Sequence, residues 1–586
     1  MDTDKEFASA IQHYRSGDLQ QAEHIARKIL QSHSENADAL QLLGVIYYQF
    51  GNHDLAILYI QKALRVNPEN ADGYYNLGNI FLEKGEFEEA VPFFRKAIQI
   101  NPHIAEAYIN LGFAMQEQGN LDEALTYFQK ALQIDPAFID GYYNLGNALR
   151  EKGLLDEALT AYRKALEIDH TFFMAWYNQG QILNEKGQFD EAAACYRKAI
   201  ELNPTNPEIY NDMGIVFQGK GRFDEAIAWY KKALQIKPDF AEAISNIGNV
   251  LQRKGEFQEA LARYRKALQI DPQNIDAHFN MSLIFLITGD FREGWKEYEW
   301  RWHLKDFFRR SFSQPLWDGS DIKGLTILLH AEQGFGDTIQ FIRYAPLVAE
   351  KGARVILESR SELKSLLEHI EGIEKIITPG EAYPHFDLQC PLMRLPYIFH
   401  TEIETIPSKT PYIKADASLV RKWSKRINHH DPVLNIGLSW CGNPDHDNDR
   451  NRSCSLETFA PLAQLSNVTL NSLQKGAGTK AFHLPEGMQL MDFTEELTDF
   501  SETAALMENL DLIISVDTAI AHLAGALGKP VWILLPFVPD WRWMLHREDS
   551  PWYPTMKLFR ETSPGDWKSV IDRIAEVIRN MQKNPR

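Results

Sequence analysis

The sequence is poor in cysteine and has no long apolar segment. Its 586 residues include four cysteines, none in a C-x-x-C pair, so a disulfide framework is excluded and reduced thiols are predicted. The longest apolar runs, such as Leu512–Val516 and Val531–Leu535, are far shorter than the ~20 residues of a membrane-spanning helix. The first residues, MDTDKEFASA, lack the apolar core of a signal peptide. We therefore expect a soluble, cytoplasmic protein.

An excess of basic residues is also missing. The chain has 61 Lys and Arg against 80 Asp and Glu, a net charge of −19. This balance argues against nucleic acid or an anionic membrane as the main partner, because both need a basic face. The sequence also has no aspartate pair or histidine cluster of metal-ligand type, so no metal and no other cofactor is predicted.

What the sequence does have is a glycine that recurs at a fixed interval. A second glycine column, from Gly17 to Gly289, and a proline column, from Pro68 to Pro272, keep the same step. This step of 34 residues is that of tetratricopeptide repeats. The first column consists of Gly44, Gly78, Gly112, Gly146, Gly180, Gly214 and Gly248, and Ser282 closes it.

Each repeat predicts two amphipathic helices. In residues 71–104, Gly78 lets the helices approach, Phe94 fills the gap and Gly85 ends the first helix. We expect an α-solenoid of about nine units over residues 1–310, with atypical first and last units, that binds a protein or peptide. The aromatic run Trp295, Tyr298, Trp300 and Trp302 predicts that the last helix packs against another part of the chain. The alternative is an ordinary cap on the solenoid.

An asparagine column stands two residues before the first glycine column. In a tetratricopeptide unit the first helix lines the concave face, so these amides are candidates for contacting the backbone of a peptide acceptor. The alternative is that they tie one repeat to the next. The predicted acceptor groove consists of Asn76, Asn110, Asn144, Asn178, Asn246 and Asn280.

After Arg310 the repeat disappears, and short apolar strands alternate with helices, which predicts parallel sheets. We expect a linker over 311–323 and two Rossmann-like domains, over 324–430 and 431–586, with a cleft between them. Ligands of such folds bind at the carboxyl ends of the strands. The predicted strands are Leu325–His330, Ala353–Glu358, Ile373–Thr378, Phe386–Cys390, Leu434–Trp440, Val468–Leu473, Asp511–Val516 and Val531–Leu535.

Two loops at predicted strand ends carry candidate site residues. In HAEQGFGDT, Asp337 is a carboxylate able to take a proton from a hydroxyl, or else an N-cap. In SVDTAIAH, a helix begins near Thr518, and its free N–H groups suit a diphosphate. The alternative there is that Asp517 caps the helix and His522 is packed and satisfied.

Basic residues follow two further strands. Arg450 and Arg452 lie in a polar loop, and Lys475 follows the next strand. Guanidinium and ammonium groups converging on the cleft would neutralise a leaving diphosphate. The alternative is a solvated loop.

These motifs together resemble the heptosyltransferases, glycosyltransferase family nine. The resemblance rests on Gly336-Asp337 with Asp517-Thr518-x-x-x-His522, and the longer strings WCGNPDHDNDRNRS and PDWRWML are similar to a bacterial branch with tetratricopeptide repeats. The architecture is also similar to that of the O-linked N-acetylglucosamine transferases. The resemblance implies a GT-B fold and inverting transfer from a nucleotide-diphosphate sugar without a metal.

The resemblance also implies roles for individual residues. Asp337 would be the general base, and Asp517, Thr518 and His522 would lie in the donor-binding loop. Arg452, together with Lys475, would bind the diphosphate; Gln333, Gly336 and Arg450 are possible additional site residues. Ala519 stands where the family usually has glycine and arginine replaces its lysine, so the donated sugar stays open.

The sequence therefore predicts a glycosyltransferase whose repeats recruit a protein or peptide acceptor or partner. The alternative is an interaction scaffold with a catalytically silent GT-B domain. The nucleotide, the sugar and the acceptor class are not specified by the sequence.

Overall fold

The computed structural model of the chain describes residues 3–583, apart from 306, 308, 309, 311, 428–432, 445, 447 and 477–483. It divides into two compact units, Met1–Asp239 and Phe240–Arg586. The domain boundaries given above, between repeats, linker and sheets, stay a prediction.

The first unit is built from consecutive pairs of helices. A Cβ atom on Gly78 would lie 2.5 Å from the ring of Phe94, because the first helix of the pair crosses directly over that ring. Gly85, which follows the first helix, has a φ of +71°, and glycine alone adopts such an angle without strain. Both predicted glycine roles are therefore confirmed in this pair. The helices are α1 (Thr3–Arg15), α2 (Leu19–Ser32), α3 (Ala37–Gln49), α4 (His53–Val66), α5 (Ala71–Glu83), α6 (Phe87–Ile100), α7 (Ala105–Glu117), α8 (Leu121–Ile134), α9 (Ile139–Glu151), α10 (Leu155–Ile168), α11 (Phe173–Glu185), α12 (Phe189–Leu202), α13 (Pro207–Gly219) and α14 (Phe223–Ile236).

The second unit begins with four more repeat helices: α15 (Ala241–Arg253), α16 (Phe257–Ile270), α17 (Ile275–Thr288) and α18 (Phe291–Tyr298). The indole of Trp295 donates to the carbonyl of Thr401 at 3.1 Å and packs edge-on against Trp541. Trp300 instead stacks on His278 in its own repeat. The last helix thus packs against the α/β region through Trp295, while Trp300 belongs to the cap.

The α/β region contains two parallel sheets. The first has β1 (Thr326–His330), β2 (Arg354–Glu358), β3 (Ile373–Ile377) and β4 (Leu388–Pro391), in the order β3-β2-β1-β4. The second has β5 (Leu434–Ser439), β6 (Val468–Ser472), β7 (Leu490–Met491), β8 (Leu512–Val516), β9 (Val531–Leu535) and β10 (Met556–Arg560), in the order β10-β9-β8-β5-β6-β7. The predicted fold, a tetratricopeptide solenoid followed by a GT-B-like α/β region, is confirmed.

Two helical segments of the α/β region are interrupted where a proline intervenes. The segment 335–350 is broken ahead of Pro346, and the segment 456–463 ahead of Pro461, because proline lacks the N–H that continues a helix. A further helix lies between the two sheets in the sequence, over residues 417–424. The helices of this region are α19 (Phe335–Phe341), α20 (Ala345–Glu350), α21 (Ser361–Leu367), α22 (Leu395–Ile398), α23 (Ala417–Ser424), α24 (Asp449–Arg452), α25 (Ala460–Ala463), α26 (Phe500–Glu508), α27 (Ala519–Ala526) and α28 (Trp567–Lys583).

The strand orders define a switch point in each sheet. The order reverses between β1 and β4 in the first sheet and between β5 and β8 in the second. Open α/β sheets bind ligands at such switch points, outside the carboxyl ends of the strands. The loops after β1, β5 and β8 are the ones that carry Asp337, Arg452 and Asp517. Among the described residues, no helix has the length and hydropathy needed to cross a membrane.

Candidate functional site

The loops that follow β1 and β8 meet at Gly336. A Cβ atom there would lie 2.8 Å from Cδ2 of His522 and 3.6 Å from Cα of Ala519. The start of α19 therefore lies directly against the start of α27. The structure brings together the two motifs that the sequence shows nearly two hundred residues apart.

Both carboxylate oxygens of Asp337 have partners. Oδ2 accepts from the backbone N–H of Gly334 at 2.9 Å, so Asp337 does cap α19 from its third position. Oδ1 accepts from Nη2 of Arg542 at 2.5 Å. The N-cap of α19 is Gly334, so Asp337 stabilises the helix start from its third position and not as the N-cap that the sequence left open, and its second oxygen is in an ion pair.

Arg542 is the centre of the charge at this site. Its Nη1 donates to Asp540 at 2.9 Å and its Nε to Oε1 of Gln340 at 2.7 Å, and its guanidinium lies over the indole of Trp541. Burial alone would lower the pKa of Arg542, but the carboxylates of Asp540 and Asp337 outweigh it and the pKa is raised. Arg542 is thus a permanent cation held between two carboxylates.

Asp517 is buried beside this cluster. Burial, and then the neighbouring charge of Asp540, raise the pKa of Asp517 to about 6, against the opposing effects of Trp543, Arg542 and Arg452. The residue does not cap α27, because the N-cap position is Thr518. Asp517 is therefore a carboxyl group that titrates close to neutral pH.

Thr518 is the N-cap of α27, but its side chain does not bond to the first amides of the helix. Its hydroxyl lies 3.3 Å from that of Ser515 and makes no capping bond to the helix. The first amides of a helix have no partner within the helix itself. Together with the helix dipole, they offer an N–H-rich surface beside Asp517 that suits an anion.

His522 is packed and neutral. Its Nδ1 pairs with the hydroxyl of Tyr553 at 2.9 Å, and its ring stacks on that of Trp543. Burial, and then the charges of three arginines, Arg542 first, hold the pKa of His522 well below its usual value. The ring therefore adds no positive charge for a diphosphate; what it does in this structure is fix the contact between α27 and α19.

The three predicted basic residues differ in how far their side chains are exposed to solvent. Arg452 is mostly buried, pairs with Asp449 at 3.3 Å, and acts electrostatically on both Asp517 and His522. Arg450 and Lys475 have exposed side chains. The structure thus brings Arg452 to Asp517 and leaves the other two facing solvent.

Gln474 is a structural residue next to Lys475 whose role the sequence does not reveal. Its Oε1 accepts from the backbone N–H groups of Trp440 and Cys441, both at 3.1 Å, and its Nε2 donates to the carbonyl of Cys441 at 3.0 Å. This side chain ties the end of β6 to the end of β5. It therefore fixes the origin of the loop that carries Arg452.

The loop after β1 is also held by the last repeat. Glu332 accepts from the buried guanidinium of Arg301 at 3.1 Å, and from the backbone N–H of Met393. Gln333, the residue beside it, takes part through its carbonyl, which accepts from Arg360. Arg301, in the 3-10 turn that follows α18, thus supports the loop that leads to Asp337.

The asparagine column has a structural use at some positions. Asn110 donates to Oδ1 of Asn79 at 2.7 Å, and Asn178 to Oδ1 of Asn147 at 2.9 Å, each in the preceding repeat. For Asn144 the equivalent position in the preceding repeat is Phe113, which cannot accept, and within the described part of the chain Asn144 has no hydrogen-bonding partner. The acceptor-groove role of the column stays a prediction, and Asn144 is the member best suited to test it. Asn76 lies on α5, Asn246 on α15 and Asn280 on α17.

Arg542 is the site residue that the sequence reasoning missed. It lies in PDWRWML, which is part of the resemblance to the heptosyltransferases, but that resemblance implied no role for any residue of this string. The sequence does carry a signal for it: an arginine between two tryptophans, Trp541 and Trp543, in a chain of net charge −19.

Models of known protein families match the repeat region and part of the α/β region. Residues 7–65 and 71–104 match the family described as "Tetratricopeptide repeat", and 104–299 match "Cilia and flagella-associated protein 70 C-terminal domain". Residues 479–534 match "Glycosyltransferase family 9 (heptosyltransferase)". That last match contains Asp517, Thr518 and His522.

Protein FlbA of Caulobacter vibrioides is 24% identical over 319 residues, which are 49% of this chain and 52% of FlbA. The chain thus spans about half the length of the curated relative it matches. Among solved structures, YrrB, a TPR protein with an unusual peptide-binding site, is 29% identical over 32% of this chain and 98% of its own, with a TM-score of 0.29. MamA is 27% identical over 30% of this chain and 96% of its own, with a TM-score of 0.28.

The repeat period and the two parallel sheets agree with the family matches over residues 7–299 and 479–534. The chain carries tetratricopeptide repeats followed by an α/β region that resembles glycosyltransferase family nine.

Proposed function

We propose that the chain is an inverting, metal-independent glycosyltransferase that moves a sugar from a nucleotide-diphosphate sugar to an acceptor hydroxyl. The observation that carries the proposal is the meeting of the two loops: Gly336 lies against His522, and Asp337 against Arg542. A carboxylate from one sheet and a helix N-terminus from the other thus face one another at the switch points of both sheets. That arrangement can place an acceptor hydroxyl and a donor diphosphate side by side.

In this proposal the chemistry is divided between the two loops. Asp337 accepts the proton of the acceptor hydroxyl while its oxygen forms a bond to the anomeric carbon. The bond from that carbon to the diphosphate breaks, and the electron pair leaves with the diphosphate. The open amides of α27, the Thr518 hydroxyl and Arg452 stabilise the departing charge. Asp517, with its pKa near 6, accepts or shares a hydrogen bond with a sugar or ribose hydroxyl.

The repeats supply the acceptor in this proposal. Solenoids of this kind present an extended surface to proteins and peptides. Asn144, with its uncommitted amide, is the candidate for a contact to the peptide backbone. Within the second unit, Arg301 of the last repeat pairs with Glu332 in the β1 loop that leads to Asp337.

A thermal-shift screen of uridine, guanosine and adenosine diphosphates and their sugars tests the proposal, since binding stabilises the folded state by mass action. We expect a shift with one nucleotide family and, with its sugar, transfer or slow hydrolysis. Asp337→Ala should lower the rate at least about 10²-fold, the usual contribution of a general base, without weakening nucleotide binding. No shift with any nucleotide, or unchanged turnover in Asp337→Ala, would contradict the proposal.

A second candidate is an interaction scaffold with a silent transferase-like region. It is favoured by one observation, that both oxygens of Asp337 are already occupied. This candidate predicts that the wild-type chain turns over none of the sugars in the screen. It also predicts that Asp337→Ala changes stability and nothing else.

A further inference from the structure

The ion pair between Asp337 and Arg542 conflicts with the role of Asp337 as a base. A carboxylate oxygen that accepts a guanidinium N–H does not offer the same lone pair to a proton. The other oxygen holds the Gly334 amide at 2.9 Å. Each oxygen of Asp337 therefore has one protein donor, and Arg542 holds the oxygen that would otherwise be free to turn toward an acceptor hydroxyl.

Arg542 has the means to leave this pair. A guanidinium carries five N–H donors, and in the described part of the chain three are used, toward Asp337, Asp540 and Gln340. Two N–H groups remain for an incoming anion. Because Asp540 and Gln340 hold the other side of the guanidinium, it can exchange the partner at Nη2 without being released.

The charge around Arg542 also favours an exchange of partners. Arg542 and Arg452 both act on Asp517, which places the two guanidiniums in the same region as the open end of α27. Both already have carboxylate partners, Asp337 and Asp540 for Arg542, and Asp449 for Arg452. A diphosphate entering this region meets cations that are already neutralised, so it must compete for them. A phosphate group can pair with a guanidinium through two N–H groups, whereas Asp337 takes a single N–H of Arg542.

Building on the proposed transferase function, we propose that the donor's diphosphate captures Arg542 and so releases Asp337. Donor binding would then switch on the base, and the donor would bind before the acceptor reacts. The acceptor proton passes to the freed Oδ1 as the bond from the acceptor oxygen to the anomeric carbon forms. The electron pair of the broken bond stays on the diphosphate, which Arg542 now holds. Arg542 is thus a donor-binding residue and the positioning residue of the base.

Competition between two partners for one guanidinium has an unusual signature. Asp337→Asn removes the competing charge, so it should tighten the binding of inorganic pyrophosphate, and of the nucleoside diphosphate chosen by the screen, by about three- to tenfold. Arg542→Met should weaken both by more than about tenfold, with Arg542→Lys intermediate. In the double variant the Asp337→Asn change should have no further effect. Isothermal titration of the full-length wild-type, single-variant and double-variant chains with each ligand measures the dissociation constants.

Each outcome decides between alternatives. Unchanged pyrophosphate affinity in Asp337→Asn, or equal tightening with and without Arg542, would overturn the exchange. Tightening that requires Arg542, in a chain that transfers no sugar, would support the exchange and refute the transferase. If Arg542→Met fails to fold, the comparison of Asp337→Asn with and without Arg542→Lys decides in its place.

Discussion

Gly336 and His522 touch, although the first belongs to the loop after β1 and the second to the helix after β8. The contact leaves no room for a side chain, since a Cβ atom on Gly336 would lie 2.8 Å from Cδ2 of His522. The ring cannot move aside, because Tyr553 holds its Nδ1 and Trp543 stacks on its face. The distance between the two sheets at the site is therefore set at this glycine.

Gly336→Ala should force α19 and α27 apart. Overpacking of this kind costs about 1–3 kcal/mol, and here it also separates Asp337 from the donor loop. We expect a lower melting temperature and at least a tenfold loss of transfer. Thermal unfolding and the turnover assay measure the two effects.

Gly334→Ala is the matched control, two residues away in the same loop. A Cβ atom there meets its nearest neighbour, Oδ2 of Asp337, at 3.4 Å, an ordinary contact, and the backbone is extended. We expect near-native stability and activity. Equal behaviour of the two variants would show that the Gly336 contact does not set the spacing.

The fold could be predicted from the sequence because its signals are local, each lying within one repeat or one strand. The 34-residue period repeats a glycine opposite a large side chain, which is an aromatic ring from Gly78 to Gly248 and Ile60 at Gly44. The strands around β1, β5 and β8 are buried on both faces and so read as apolar runs. By contrast, the sequence did not predict β7 or β10. β7 has only two residues, and β10 follows a segment without helical or strand periodicity.

The site was predictable in part, for the same reason. Asp337 and Asp517 each follow a strand that the sequence marks, so their position at a sheet edge could be inferred. The partner of Asp337 could not, because Arg542 lies 205 residues further on. A single sequence carries no signal for a contact made by two loops that meet only in the folded chain.

The asparagine column yields a paired prediction. Asn178→Ala removes three polar contacts to the preceding repeat, to Asn147 and to the hydroxyls of Tyr143 and Tyr162, and should lower the free energy of unfolding by about 1 kcal/mol. Asn144→Ala removes no such contact and should stay within about 0.5 kcal/mol of wild type. Urea unfolding followed by circular dichroism measures both.

For acceptor binding we expect the reverse of the order expected for stability: Asn144→Ala should have the larger effect and Asn178→Ala the smaller. If the column contacts a peptide backbone, Asn144→Ala should raise the Michaelis constant for a protein acceptor and leave nucleotide binding unchanged. An unchanged constant in Asn144→Ala would assign the whole column to repeat packing.

Asp517 should make the stability of the chain depend on pH. Its pKa is raised to about 6 in the folded state by burial, with Asp540 adding to the effect. The folded state therefore binds more protons than the unfolded state between the ordinary carboxyl pKa, near pH 4, and about pH 6. The stability contributed by this group falls as the pH rises through that window. Asp517→Asn should consequently raise the melting temperature at pH 7.5, by an amount equivalent to at most roughly 3 kcal/mol, and have little effect at pH 4.5.

A carboxylate with the opposite shift provides the control for this experiment. The pKa of Asp566 is lowered by its hydrogen bonds from Ser569, so its contribution to stability is present above pH 4 and is lost as the pH falls. Asp566→Asn should therefore lower the melting temperature at pH 7.5 and lower it less in acid. If Asp517→Asn instead destabilised the chain at pH 7.5, the arginines around Asp517 would outweigh its burial, and the residue would be a fixed anion that cannot share a proton with a substrate hydroxyl.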